Sequence, residues 1–175
     1  EKFRNYSKFR ILPLHSGISK QSQREIFLPV PSGVYKIVLS TNIAETSVTI
    51  DNVTVVIDSG RSKEKSYDPH TKLSSLKENW ISQSSANQRR GRAGRTRAGV
   101  CFRLYSIRRY EALSNHQESE LVRTSLEELV LTTKLMNLAP GQSHESNGVP
   151  VFLSKAMDPP HSLSIVNAIT NLKTI

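Results

Sequence analysis

Apolar residues follow two different rhythms along this chain. In the first part they come as compact runs: Ile11 to Leu14 reads as a short strand, and Tyr35 to Ser40 (YKIVLS), Val53 to Asp58 (VTVVID) and Val100 to Tyr105 (VCFRLY) as β-branched or aromatic runs. Such runs suit strands buried on both faces of a parallel sheet. Between the first two, Ser22 stands three residues before Glu25, the spacing of a reciprocal helix cap, and Pro29 and Pro31 then stop the helix it opens. Ser85 stands in the same relation to Gln88 and predicts a helix leading into the last strand. Ser59 to Lys77 is polar and Lys-rich. The sequence of elements is an α/β alternation.

Beyond Tyr105 the rhythm becomes helical. Leu126, Leu129, Val130 and Thr133 recur at helical spacing behind two capping signals, Thr124 to Glu127 and Ser125 to Glu128. A Gly/Pro/Ser break, APGQSHESNGVP, is followed by DPP at Asp158 to Pro160 and by Ile165, Ala168, Ile169 and Leu172 on a further amphipathic helix. The expected division is therefore 1–110 for an α/β unit and 111–175 for a mainly helical one.

Composition narrows what such a chain can do. At 175 residues it holds one ordinary domain, or one domain and part of a second. Lys and Arg number 24 against 15 Asp and Glu, a net charge of +9 that points to a polyanionic partner, nucleic acid first. No apolar run approaches the ~18 residues of a membrane span, and EKFRNYSKFR lacks a signal-peptide core, so no membrane partner is expected. Cys101 is the only cysteine, which excludes an internal disulfide and a cysteine-based zinc site and fits a reducing intracellular compartment. The histidines, His15, His70, His116, His144 and His161, are scattered, and no metal ligand is assigned among them.

The basic charge is concentrated. Gln88 to Tyr110 holds eight arginines and no acid, one third of all Lys and Arg. Within QRRGRAGR, an α-helix would put Gln88, Arg92 and Arg95 on one face at i, i+4 and i+7. Guanidinium groups are permanently charged planar forks that match phosphate oxygens. The plainer alternative is a solvated basic helix, but Gly91 and Gly94 each cost a helix about 0.5–1 kcal/mol relative to Ala, which a close approach to a ligand or facing domain would explain. A second cluster, STNIAETSVTID from Ser40 to Asp51, begins where YKIVLS ends, at the carboxyl end of a strand, where open parallel sheets bind ligands. It is either a phosphate- and sugar-binding loop or an ordinary capping turn; its composition fits both. Phe27, beside Ile26, reads from its helical spacing alone as a core aromatic.

The two clusters, STNIAETS and QRRGRAGR, resemble motifs V and VI of the DEAH/RHA-type superfamily 2 RNA helicases. The resemblance extends from LPLHSGISKQSQREIF to SLEELVLTTKL and DPP. It implies an α/β fold with a RecA-like parallel sheet and flanking helices, its first strand missing, followed by a truncated, mainly helical winged-helix segment. By the same resemblance Gln88 positions the attacking water, and Arg92 and Arg95 are arginine fingers. Thr41, Asn42 and Ser47 grip the RNA backbone, Thr49 and Asp51 lie near the ribose, and Phe27 stacks on adenine. ATP and Mg²⁺ are the implied cofactors, with Mg²⁺ held mainly by the first RecA-like domain. Single-stranded RNA and that first domain are the implied partners, with room for an activating protein, in nucleus or cytoplasm.

No GxxxxGK followed by Ser or Thr and no Asp-Glu-Ala-His run is present, so this chain is expected to be inactive alone. A non-catalytic RNA-binding scaffold that keeps a helicase C-terminal domain is the competing expectation. Gly91 to Gly94 also fits the GxxG loop of a small KH module, but the surrounding alternation is too long for that fold.

Overall fold

The computed structural model describes residues 8–139 and 148–174. The Gly/Pro/Ser break falls largely on 140–147, and His144 with it, outside the described residues. By internal contact the chain divides into two compact units. The first runs through Ser62 and resumes over Trp80–Gln117; the second comprises Lys63–Asn79 and the chain from Glu118 onward.

The first unit opens with strand β1 (Phe9–Leu14), helix α1 (Lys20–Phe27) and strand β2 (Tyr35–Ser40). β1 and β2 pair in parallel from Phe9 opposite Tyr35 to Leu14 opposite Ser40. α1 packs its one buried residue, Ile26, on Leu12 and Leu14. Burying a side chain of that size stabilises by about 1.5–3 kcal/mol. The helix is capped by Ser19, whose hydroxyl accepts from the Ser22 amide at 3.2 Å. The expected cap, Ser22, is thus the donor; the extended backbone at Ser19 lets its side chain turn back on the helix. Leu28, preceding Pro29, is extended as the proline ring requires, and Lys36 Nζ donates to the carbonyls of Ile26 and Leu28, satisfying groups the ended helix leaves open.

A short helix α2 (Ile43–Thr46) follows β2, then strand β3 (Val55–Asp58). In the polar stretch from Ser59 to Lys77, where the sequence pattern assigned no element, β4 (Arg61–Asp68) and β5 (Leu73–Trp80) form a two-stranded ribbon turning at Lys72, whose φ is 58°. Its residues are mostly polar, Tyr67, Leu73, Leu76 and Trp80 fall in no strict alternation, and β5 is exposed nearly throughout, so no apolar face marks it. Helix α3 (Gln83–Arg90), a 3₁₀ turn (Gly91–Gly94), strand β6 (Val100–Arg103) and helix α4 (Ile107–Glu111) complete the unit. The α3 cap is Ser82, accepting from the Ser85 amide at 3.2 Å, so Ser85 too is the donor rather than the cap.

β6 runs parallel to β3, Val55 opposite Val100 and Asp58 opposite Arg103. Burial on both faces, expected of these strands, is found on one. Val55, Ile57, Val100 and Phe102 are register neighbours on the other face and lie 53–68 % exposed.

The second unit holds most of the ribbon with α5 (Glu120–Arg123), α6 (Glu127–Leu135), α7 (Gly148–Leu153) and α8 (Ser162–Thr174). Leu126, Val130, Val149, Leu153, Ile165 and Ala168 form its core. Neither expected cap forms at α6: Leu126 holds the cap position, and the Thr124 hydroxyl donates to the Glu120 carbonyl at 2.7 Å. The ribbon is tied to α8 by Asn167, which donates to the Pro69 carbonyl at 2.7 Å and to the Tyr67 hydroxyl at 3.4 Å. No helix among the described residues is long and apolar enough to cross a membrane.

Candidate functional site

Chain direction puts the first cluster at the carboxyl end of the parallel strand β2. Thr41 follows the last residue of β2, and its amide donates to the Leu14 carbonyl at the end of β1 (3.1 Å). Asn42 stands at the N-cap of α2 but with helical backbone and no capping bond from its side chain. The capping alternative therefore fails at Asn42. Thr41, Asn42, Ser47, Thr49 and Asp51 are all exposed.

The basic segment lies against this loop. Arg92 Nη1 donates to the Val48 carbonyl (3.4 Å) and Nη2 to the Glu45 carbonyl, so the cation sits on carbonyls that α2 leaves unpaired at its C-terminus. Burial, and then the positive charge of Arg95, lower the Arg92 pKa from its ordinary value, while Glu45 opposes the shift. Arg95 Nη1 donates to Thr49 Oγ1 at 2.7 Å.

The expected single α-helical face is corrected by the turn. α3 ends at Arg90, and Gly91–Gly94 winds as 3₁₀, whose tighter turn rotates later side chains out of α-helical phase. Arg92 and Arg95 consequently meet the Glu45–Thr49 segment, while exposed Gln88 lines a cavity of about 560 Å³ with Gln83, Ser84, Asn87, Asn115 and His116. An added Cβ at Gly91 or Gly94 would meet nothing within 4 Å, so this chain's own packing does not demand glycine there.

Phe27 ends α1 and is 51 % exposed while Ile26 is fully buried. Its reading as a core residue is thereby overturned: consecutive helical positions point about 100° apart, and Ile26 takes the inward one.

The centre of the site went unread in the sequence. Arg89, between Gln88 and Arg92, donates from Nε to Glu45 Oε2 (3.0 Å) and from Nη1 to Asp58 Oδ1 (2.9 Å) and the Arg61 carbonyl (3.2 Å). The side chains of Arg89, Glu45 and Asp58 are 15 %, 11 % and 0 % exposed. Desolvation works against the buried guanidinium, but hydrogen bonds to Asp58 and Glu45 outweigh it and raise its pKa. Asp58 also accepts from the Tyr105 hydroxyl (2.9 Å) and the Gly60 amide (3.0 Å). Gly60 is required twice over: its φ is 74°, and a Cβ would stand 2.6 Å from the Tyr105 ring. One sequence signal was available: Arg89 stands three residues after Ala86, so on α3 it shares a face with a small apolar residue suited to burial.

The family model for the helicase conserved C-terminal domain matches residues 1–97. Among curated proteins, DExH-box ATP-dependent RNA helicase DExH1 of Arabidopsis thaliana is 48% identical over 97% of this chain and 16% of its own length. ATP-dependent DNA/RNA helicase DHX36 of Mus musculus is 44% identical over 94% of this chain and 16% of its own. Among solved structures, the Escherichia coli DEAH/RHA helicase HrpB superposes with a TM-score of 0.80 at 31% identity, over 96% of this chain and 20% of that one. The chain thus spans about a sixth of the length of these curated relatives.

Proposed function

The chain belongs to the helicase conserved C-terminal domain family, in its DEAH/RHA branch, and from that premise we propose that it is the second RecA-like motor domain of an ATP-dependent RNA helicase, running into the start of a winged-helix domain. The observation that carries the reading is the pair Arg92 and Arg95. Neither guanidinium is paired with a carboxylate: one rests on backbone carbonyls and the other on a hydroxyl, weak partners that a phosphate would replace.

In this reading Arg92 and Arg95 stabilise the charge of the transferring phosphoryl group, Gln88 orients the attacking water, and Phe27 offers an exposed ring to adenine, with Thr49 and Asp51 near the ribose. Thr41, Asn42 and Ser47 hold the RNA backbone through exposed hydroxyl and amide groups that do not read bases. The donor set of this chain suits the anion more than the cation. Glu45 and Asp58 are committed to Arg89, and no cluster of three metal-ligating side chains occurs among the described residues, so Mg²⁺ falls to a first RecA-like domain. There Mg²⁺ would neutralise phosphate charge. The exposed face of Val55, Ile57, Val100 and Phe102 fits a helix laid across the β3–β6 pair. The chain alone is then inactive, and single-stranded RNA is its polymer partner, in nucleus or cytoplasm.

RNA-stimulated ATP hydrolysis by the full-length protein tests the reading. Arg92→Ala and Arg95→Ala should each lower turnover by about 10³-fold or more. Activity within a few-fold of the parent would exclude the finger role, and a parent that binds RNA without hydrolysing ATP would establish the scaffold instead.

A further inference from the structure

We infer that the exposed side of α4, with the aromatic residues beside it, is a second RNA-backbone site, separate from the loop of Thr41, Asn42 and Ser47. It rests on the reading that RNA is the polymer partner, and on none of the roles given to Gln88, Arg92 or Arg95. Three guanidiniums gather there on two rings. The Arg61 and Arg109 heads stand 3.6 and 4.9 Å from the centre of the Trp80 ring, and the Arg103 head stands 4.0 Å from that of Tyr110. Arg108, beside Arg109 on α4, adds another cation, and Arg61, Arg108 and Arg109 are exposed. Among the described residues no carboxylate pairs with Arg103, Arg108 or Arg109, not even Glu111, the one acid of α4. The patch lies beyond Asp58 from α2. Arg89 reaches Glu45 and binds Asp58 through Oδ1, while Tyr105, which meets the Trp80 ring edge-on at 6.0 Å, binds Oδ2.

A ring under a guanidinium fixes its plane without cancelling its charge, and leaves the N–H edges of the fork to phosphate oxygens. Arg103 is aimed further by the 3.2 Å bond that its Nη2 donates to Asn87 Oδ1, which also accepts from the Tyr110 hydroxyl at 3.4 Å. Two permanent cations over one indole repel each other, and an anion set between them removes that cost. The carboxylates of an acidic protein would answer the charge as well. Shape favours RNA, because guanidinium planes are flat surfaces on which unpaired bases stack, a use that a carboxylate chain does not make of them. The loop assigned to RNA belongs to the same compact unit, so a strand long enough to reach both sites gains affinity from the second without any new contact at the first.

Two RNA lengths test the second site. In the full-length protein, Kd is measured over a range of salt for a fluorescent oligouridine of about 8 nucleotides, a length that one single-strand groove holds, and for one several times longer. The parent should bind the longer strand at least about tenfold more tightly. Arg108→Gln/Arg109→Gln should raise the Kd of the longer strand by about tenfold and lower its log–log salt slope by about 0.7 for each phosphate contact removed. The Kd of the short strand, and ATP turnover saturated with it, should stay within about twofold of the parent. A merely structural change would weaken both strands alike. An equal loss on both strands, an unchanged Kd for the longer one, or a parent indifferent to length overturns the inference and leaves the motor reading standing. Poly-L-glutamate bound by the parent and released by the variant, with the Kd of the longer RNA unchanged, would assign the patch to an acidic protein instead. A parent that neither hydrolyses ATP nor binds either strand overturns the motor reading as well. Should the double variant fail to fold, Arg108→Gln decides by the same comparison, since the Arg108 head forms no hydrogen bond or ring contact among the described residues.

Discussion

Arg95 Nη1 donates a 2.7 Å hydrogen bond to Thr49 Oγ1 across 46 residues of sequence, at the exposed rim of the contact between the basic turn and the loop behind α2. Because the bond is exposed, it contributes little to folding, about 0.5–1.5 kcal/mol at most. Its significance is directional, since it aims a guanidinium. Thr49→Val keeps the shape and removes the acceptor. Unfolding free energy should change by no more than that amount, while KM for ATP in the full-length protein rises by about fivefold. An unchanged KM would reduce the pair to a surface contact.

Ile26 and Phe27 should separate stability from binding. Ile26 is fully buried against Leu12 and Leu14, so Ile26→Ala should cost about 2–5 kcal/mol in urea unfolding. Phe27 is 51 % exposed, and Phe27→Ala should shift stability by only about 0.5 kcal/mol. In the full-length protein the second change should weaken ATP binding. Unaltered ATP affinity with a large loss of stability would reverse both assignments.

Gly91→Ala offers a contrast between folding and activity. Gly91 has a φ of −63°, and nothing lies within 4 Å of an added Cβ, so alanine should be neutral or stabilise by up to about 1 kcal/mol. ATP hydrolysis should nevertheless fall if a ligand or facing domain approaches the backbone here. A variant both stable and fully active would leave the glycine without a role in approach.

Tyr105 sets a limit on alkaline stability. Burial, then its hydrogen bond to Asp58, raise its pKa well above the ordinary tyrosine value of about 10. In the folded state the phenol therefore keeps its proton after the unfolded chain has lost it. The stabilising contribution is complete below about pH 10 and declines as pH rises from there toward the folded value. Tyr105→Phe should flatten that decline in thermal melts taken between pH 9 and 11, values bracketing the unfolded pKa. An identical decline in the variant would place the alkaline sensitivity elsewhere.

The strands were legible because β2 and β6 combine apolar density with Pro or Gly punctuation, and α8 because Ile165, Ala168, Ile169 and Leu172 keep one face. The ribbon of β4 and β5 was not, since lysines, serines and glutamates alternate there without an apolar face. Both serine caps were displaced by three residues for a related reason. Ser19 and Ser22, like Ser82 and Ser85, have the same chemistry, and only backbone conformation decides which accepts and which donates.

Sequence alone determined that this chain carries a dense phosphate-matching cation cluster downstream of a hydroxyl-rich loop at a strand's end, because charge type and local spacing are properties of neighbouring residues. Only the tertiary structure decided which arginines face outward. Arg89, Arg92 and Arg95 are chemically identical in the sequence, and they part company because two carboxylates, Glu45 and Asp58, are brought to Arg89 from 44 and 31 residues away. A buried guanidinium must be paired, and pairing depends on which distant oxygens the sheet and α2 deliver to it.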